Sequence, residues 1–430
     1  MNRSVNWWQK AVIYELYVDK FAGNFSGLTS KLDYISRLGV DTIWLLPHYP
    51  SPLVDDGYDI SDYQNIRSDL GSLADFDRFL SAAHDRGLKV IIDLVLNHTS
   101  DQHAWFKASR SSRDNPKRNW YLWNDNKDKF RDAFVHFSQV KDSNWIWNES
   151  TGDFYYATFY PQQPDLNWDN PEVVAAMTQT LDFWLDRGVD GFRLDAIARL
   201  IKRDGTNCFA LPEAHEALKK LRAHIDSKYP NILLMAESGG WVHEAKPFFG
   251  SGDECQLVIN FPLAVKMLAA VTHKNLSGID EIWQQSGQLP EGCSWAVFLT
   301  NHDSVDLFFL TGQEERSALA GAMDPHNQFI QPDSASFGAR LAEVCQGNQS
   351  DILWATQLQL SQPGTPVIYY GNEIGMRNAV LPEKPVDTRL YVRGNFDWSE
   401  AERQQSDPSS LLSKISDLLR QRRGLSSDQT

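Results

Sequence analysis

A chain of 430 residues with 41 basic and 56 acidic side chains carries a net charge of −15. It can bury a large core, but it lacks the basic surface that nucleic acid or an anionic membrane requires. No window approaches the roughly 20 consecutive apolar residues of a membrane span. The amino terminus, MNRSVNWWQKAVIYELY, has neither the apolar stretch nor the small-residue cleavage site of a secretory signal. A cytoplasmic location is therefore expected. Cys208, Cys255, Cys293 and Cys345 lie far apart without C-x-x-C spacing, so they read as reduced thiols and not as a disulfide framework or zinc site.

In chain order, short apolar runs alternate with amphipathic stretches, the pattern of βα units around a parallel sheet. AVIYELYV (11–18) predicts a first strand and GLTSKLDYISRLGV (27–40) a helix with apolar residues at helical spacing. TIWLLP (42–47) is strand two. Ser72 starts a helix that Gly87 ends. KVIIDLV (89–95), continuously apolar as a buried parallel strand should be, is strand three.

Residues 99–170 then break the pattern. They are polar, aromatic and irregular, and too many for a loop in a compact barrel. They read as a small domain inserted after strand three. A helix at 171–188, with Pro171 in the first turn, restores the alternation. GFRLDA (191–196), ILLMAES (232–238), LVINFP (257–262), SWAVFLT (294–300) and TPVIYYG (365–371) supply strands four to eight, with helices at 211–230 and 410–423. The expected fold class is α/β: a (β/α)₈ barrel formed by residues 1–98 and 171–430, carrying the insertion 99–170.

Three of the predicted strands run into a carboxylate: Asp195 in GFRLDA, Glu237 in LLMAES and Asp303 in FLTNHD (298–303). Acids at the carboxyl ends of separate barrel strands converge on one face. Cleaving a glycosidic bond needs one carboxylate as nucleophile or base and a second, protonated, as acid. Arg193 stands two residues before Asp195, and strand residues two apart point the same way. The guanidinium would keep Asp195 ionised, as a nucleophile requires. Glu237 follows an apolar run that would keep its proton near neutral pH, as a general acid requires. His302 and Asp303 would bind sugar hydroxyls and support developing positive charge. The aromatic fraction of 12% leaves Trp and Tyr near these motifs as candidate sugar-stacking platforms.

DLVLNH (93–98), GFRLDA, the Glu of MAES and FLTNHD together resemble, in order and spacing, the four signature regions of glycoside hydrolase family 13, the α-amylase superfamily. QPDLNW (163–168) is similar to its fifth region in the branch of trehalose synthases and oligo-1,6-glucosidases. The resemblance implies Asp195 as nucleophile, Glu237 as acid/base and Asp303 as stabiliser, with His98, Arg193 and His302 in the substrate site. It also implies that Tyr58 of GYDISDY (57–63) stacks under the glucose and that Asp59 binds its hydroxyls. Arg393 of VRGNFDWS (392–399), similar to the family's VRTPMQWS, would pair with Asp59 at the closed end of the pocket.

The implied activity is that of a retaining enzyme on short α-glucosides such as maltose. It would work through a covalent glucosyl-enzyme, by transfer or isomerisation, with hydrolysis of maltose, sucrose or short oligosaccharides as the alternative. A non-catalytic scaffold reading is disfavoured by the intact acid trio. No cofactor is required. The family's calcium loop after strand one is replaced by FAGNFSG (21–27), which lacks the oxygen ligands calcium needs. Asn97 is one further possible calcium ligand, its alternative being a strand-cap hydrogen bond. The β-sandwich that follows the barrel in the family is missing from the sequence. Apart from a small carbohydrate no partner is implied, and oligomeric state is left open.

Overall fold

The computed structural model describes residues 6–331 and 336–424. The outer limits of the barrel range read from the sequence, 1–5 and 425–430, lie outside the described residues. Eight parallel strands close into a barrel: Ile13–Leu16, Thr42–Leu45, Lys89–Val95, Gly191–Asp195, Leu233–Ala236, Leu257–Ile259, Ser294–Val297 and Thr365–Tyr369. Each neighbours the next in chain order and the last pairs with the first, Val367 opposite Ile13. All eight predicted strands are present. Most end earlier than the apolar runs that announce them, because the chain turns outward once it clears the barrel rim. The strands are buried on both faces, which is why they read as unbroken apolar runs.

Between strands four and five the backbones approach closely at Gly191. A Cβ there would lie 2.4 Å from the carbonyl oxygen of Leu233, so the position admits only glycine without a shift of one strand. The helices start where capping chemistry allows. Ser72 accepts from the N–H of Asp75 to open Leu73–His84. Asn170 with Pro171 opens Pro171–Leu185, and Ser410 opens Leu411–Arg422. The single helix expected across 27–40 is two, Phe25–Ser30 and Leu32–Leu38, separated at Lys31. Phe261–His273 and Gln349–Ser361 complete the later βα units.

Residues 99–170 carry a short helix, Ala104–Ser109, and a three-stranded antiparallel sheet in which Asp153–Tyr156 lies between Trp123–Asn124 and Trp145–Asn148. This segment is stitched back onto strand three. The N–H of Leu166 donates to the carbonyl of Asn97 at 2.9 Å and the Trp168 indole donates to that of Leu96 at 2.8 Å. Among the described residues no helix is long and apolar enough to cross a membrane.

Candidate active site

Asp195 is the last residue of strand four, and Glu237 directly follows strand five. Asp303 departs from expectation: strand seven ends at Val297, and Asp303 sits in the loop beyond. The three still line one cavity of about 80 Å³ at the carboxyl ends of the strands, together with Tyr58, His98, Ala196 and, from the inserted segment, Phe137 and Phe159.

Arg193 organises the centre. Its register partner on strand three is Asp93, and one turn of the pleat further Val95 faces Asp195. From this position Nη1 reaches Asp93 at 2.5 Å and Asp195 at 2.7 Å, and Nη2 reaches Glu237 at 2.9 Å. Three carboxyls therefore share one guanidinium. Burial lifts Asp93 to about 6 against the pull of Arg193. It lifts Asp195 to about 7, again against Arg193, and Glu237 to about 7. Burial thus favours the neutral form of both acids near neutral pH, and the charge of Asp195 adds to the rise at Glu237. The other oxygen of Glu237 accepts from the N–H of Ala196 at 2.9 Å. Ala196 has φ +46°, a left-handed conformation unusual for a residue with a side chain.

Asp303 has the opposite environment. Burial would raise its pKa, but His302, Arg389 and Arg393 outweigh that and hold it well below the usual carboxylate range. Arg389 and Arg393 each lie 3.2 Å from its Oδ1. His302 is fully enclosed. Its Nδ1 lies 2.6 Å from Glu15 and its Nε2 2.7 Å from the Tyr58 hydroxyl and 3.2 Å from Asp303. Tyr58 stacks on His302 with ring centroids 5.4 Å apart. His302 thus backs Tyr58 and Asp303 from behind. His98 lines the cavity, its Nε2 3.2 Å from the Tyr58 carbonyl, and burial pushes its pKa down to about 4.

The expected pairing of Arg393 with Asp59 is not what the structure shows. Asp59 accepts from the Ser51 hydroxyl and from the N–H groups of Val54 and Asp55 at 2.9–3.1 Å, so its carboxylate is used up inside the turn it caps. Arg393 instead pairs with Asp55 at 3.3 Å, Asp56 at 2.9 Å and Asp303. Of the acids in this loop, Asp55 is the one that lines the cavity, beside Tyr58. Sequence reasoning missed Asp55, Arg389 and Glu15. The signals available were the acidic pair before Gly57 and the second arginine four residues ahead of Arg393.

Asn97 faces a cation of the chain's own. The Lys202 ammonium donates to Asn97 Oδ1 at 2.7 Å and to the carbonyl of Arg199 at 2.6 Å, and pairs with the buried Asp165 at 2.5 Å. Among the described residues no group of three or more His, Cys, Asp or Glu side chains is gathered as metal ligands.

Acids at the mouth of a closed parallel barrel, two of them raised toward neutral pH by burial, equip a protein to cleave and form glycosidic bonds. The chain belongs to the alpha-amylase family, whose catalytic-domain model matches residues 13–422. It is an α-glucosyl-active enzyme of that family. It is 43% identical over 406 residues to the trehalose synthase/amylase TreS of Mycolicibacterium smegmatis, covering 92% of this chain and 67% of the relative. An alpha-glucosidase of Pediococcus pentosaceus is 32% identical, covering 96% and 74%. A mutant of the trehalulose synthase MutB of Pseudomonas mesoacidophila MX-45, solved with its substrate sucrose, superposes with a TM-score of 0.78 at 27% identity, covering 97% of this chain and 84% of that one. The chain spans about two thirds of the length of TreS.

Removing the Lys202 charge leaves Asp165 buried and unpaired. Lys202→Met is expected to lower unfolding stability by about 3–5 kcal/mol, read in urea or thermal unfolding. An unchanged midpoint would show that this ion pair does not hold the inserted segment.

Proposed function

We propose that this chain takes a short α-glucoside such as maltose, forms a covalent glucosyl-enzyme and passes the glucosyl unit to another sugar hydroxyl, so that the net reaction is isomerisation. The observation that carries this reading is the Arg193 fork. One planar group touches both Asp195 and Glu237, which favours the close spacing of retaining pairs, about 5 Å, over the wider gap of inverting ones. An Asp195 oxygen attacks the anomeric carbon as the bond to the leaving oxygen breaks, and Glu237 gives its proton to that oxygen. In the return step Glu237 takes the proton of an incoming hydroxyl, whose oxygen displaces Asp195. Asp303, held anionic by Arg389 and Arg393, faces the positive charge that develops on the ring.

A second cavity of about 300 Å³ is lined by Gly239, Gly240 and Trp241, which follow Glu237 closely in the chain, and by Arg199, Phe134 and Phe308. Its mixture of aromatic faces and a guanidinium suits the departing sugar, which must turn there before it re-attacks. The kinship with TreS and the likeness to a sucrose-bound trehalulose synthase support transfer. The likeness to an alpha-glucosidase keeps hydrolysis as the second reading. We also propose that no calcium ion is needed at Asn97, since the Lys202 ammonium already supplies the positive charge there.

Incubation with maltose, sucrose and trehalose, with every product identified, decides between the two readings. A disaccharide isomer is expected from maltose, and glucose as the sole product would make the enzyme a hydrolase. Glu237→Gln is expected to slow maltose turnover by about 10²–10⁴-fold while sparing α-glucosyl fluoride, whose leaving group needs no proton. In the wild type, kcat/KM should fall above about pH 7 as Glu237 loses its proton and below it as Asp195 gains one. An equal loss on both substrates would remove Glu237 from acid catalysis. Chelation should leave the thermal midpoint unchanged, and a drop restored by added calcium would overturn the ammonium reading.

A further inference from the structure

Two walls of the catalytic cavity come from outside the barrel strands: the inserted segment, through Phe137 and Phe159, and the late loop carrying Arg389. They are joined to each other as well as to the cavity. The Arg389 guanidinium reaches Asp55 at 2.8 Å and Asp303 at 3.2 Å, and lies over the ring of Phe137 at 4.9 Å. Phe137 stacks on Tyr160, centroids 4.4 Å apart with planes at 18°. The Tyr160 hydroxyl donates to Asp387 at 2.9 Å, and Asp387 pairs with Arg389 at 2.7 Å. The circuit closes on itself. Phe137 is held at φ +53°, a conformation that persists in a non-glycine residue only when its surroundings enforce it. Tyr160 is likewise fixed, its N–H donating at 3.0 Å to Gln163, whose amide reaches Asp55 at 3.3 Å.

We propose that the Tyr160–Asp387 hydrogen bond latches the inserted segment to the Arg389 loop and thereby sets how readily water, as against a sugar hydroxyl, reaches the glucosyl-enzyme. This rests on the transfer reading above and names the residues that favour it. Tyr160 and Asp387 are positioning residues: they touch Arg389 and Phe137, and act on the reacting atoms only through them. Without the latch, the aromatic wall and the arginine loop lose a direct polar tie. The cavity mouth then opens more often, and the intermediate meets solvent.

The test uses the full chain with α-glucosyl fluoride as donor. The lifetime of the glucosyl-enzyme in water is read by rapid quench and intact mass, and the split between hydrolysis and disaccharide is read with glucose as added acceptor. Tyr160→Phe removes one hydroxyl and keeps the stacked ring. It is expected to shorten the lifetime and raise the hydrolysis-to-transfer ratio by about five-fold, the shift one net hydrogen bond supports. The initial burst of fluoride, which reports formation of the glucosyl-enzyme, should keep its rate within about two-fold, since Asp195 and Arg193 are untouched. Phe137→Leu, which deletes the ring under Arg389, should move both readouts the same way. An unchanged lifetime in both variants overturns the proposal. A wild type that forms no disaccharide refutes transfer instead, and the lifetime comparison then still decides the latch.

Discussion

One buried guanidinium carries the architecture of the site. Arg193 is enclosed at the centre of the barrel and meets Asp93, Asp195 and Glu237. A single positive charge in a low-dielectric interior cannot neutralise three anions, so the cluster keeps a proton. That shortage of positive charge makes a carboxylic acid available at neutral pH beside a carboxylate. The barrel supplies the geometry: the pleat puts Arg193 and Asp195 on one side of strand four, and the register puts Asp93 opposite Arg193.

The other end of the pocket is held by two guanidiniums. Arg389 and Arg393 gather Asp55, Asp56, Asp303 and Asp387, and both guanidiniums reach the same oxygen of Asp303. Asp303 is therefore anionic where Glu237 is not, although both open into the same cavity. The division of labour among the three acids comes from how the guanidiniums are shared: Asp195 and Glu237 divide one with Asp93, while Asp303 takes contacts from two. In a chain with fifteen more acidic than basic residues, this placement of arginines has no basis in bulk charge. It is local to the two clusters.

The barrel and the acid trio were legible because parallel strands are buried on both faces and so announce themselves as apolar runs. What hid was set by turn geometry. Asp55 and Asp59 are chemically alike and four residues apart. Only the folded loop shows that Asp59 spends its oxygens on Val54 and Asp55 N–H groups, while Asp55 faces the arginines. Phe261–His273 hid for another reason: only Asn260 separates it from the apolar run of strand six, and the helix is itself mostly apolar, so periodicity had little to mark the change. The cap from Asn260 to the N–H of Leu263 was the available sign. Lys202 was illegible because a lone lysine in LIKRDG carries no pattern. Its meaning lies in Asn97 and Asp165, which are remote in sequence.

The inserted segment depends on such remote ties. Lys202 joins strand three, through Asn97, to Asp165, and Asp165 accepts from the N–H of Thr158 at 2.9 Å, next to Phe159 and Tyr160. A second buried ammonium, Lys141, donates to Asn144 at 2.8 Å and to the Thr158 carbonyl at 2.7 Å, and burial pushes its pKa down to about 7. Both cations thus converge on the backbone that presents the aromatic wall of the cavity. An ammonium offers three directed donors, where a metal would demand a shell of oxygens. The wall is therefore positioned by hydrogen-bond geometry, and its integrity is tied to the protonation of Lys141 near neutral pH.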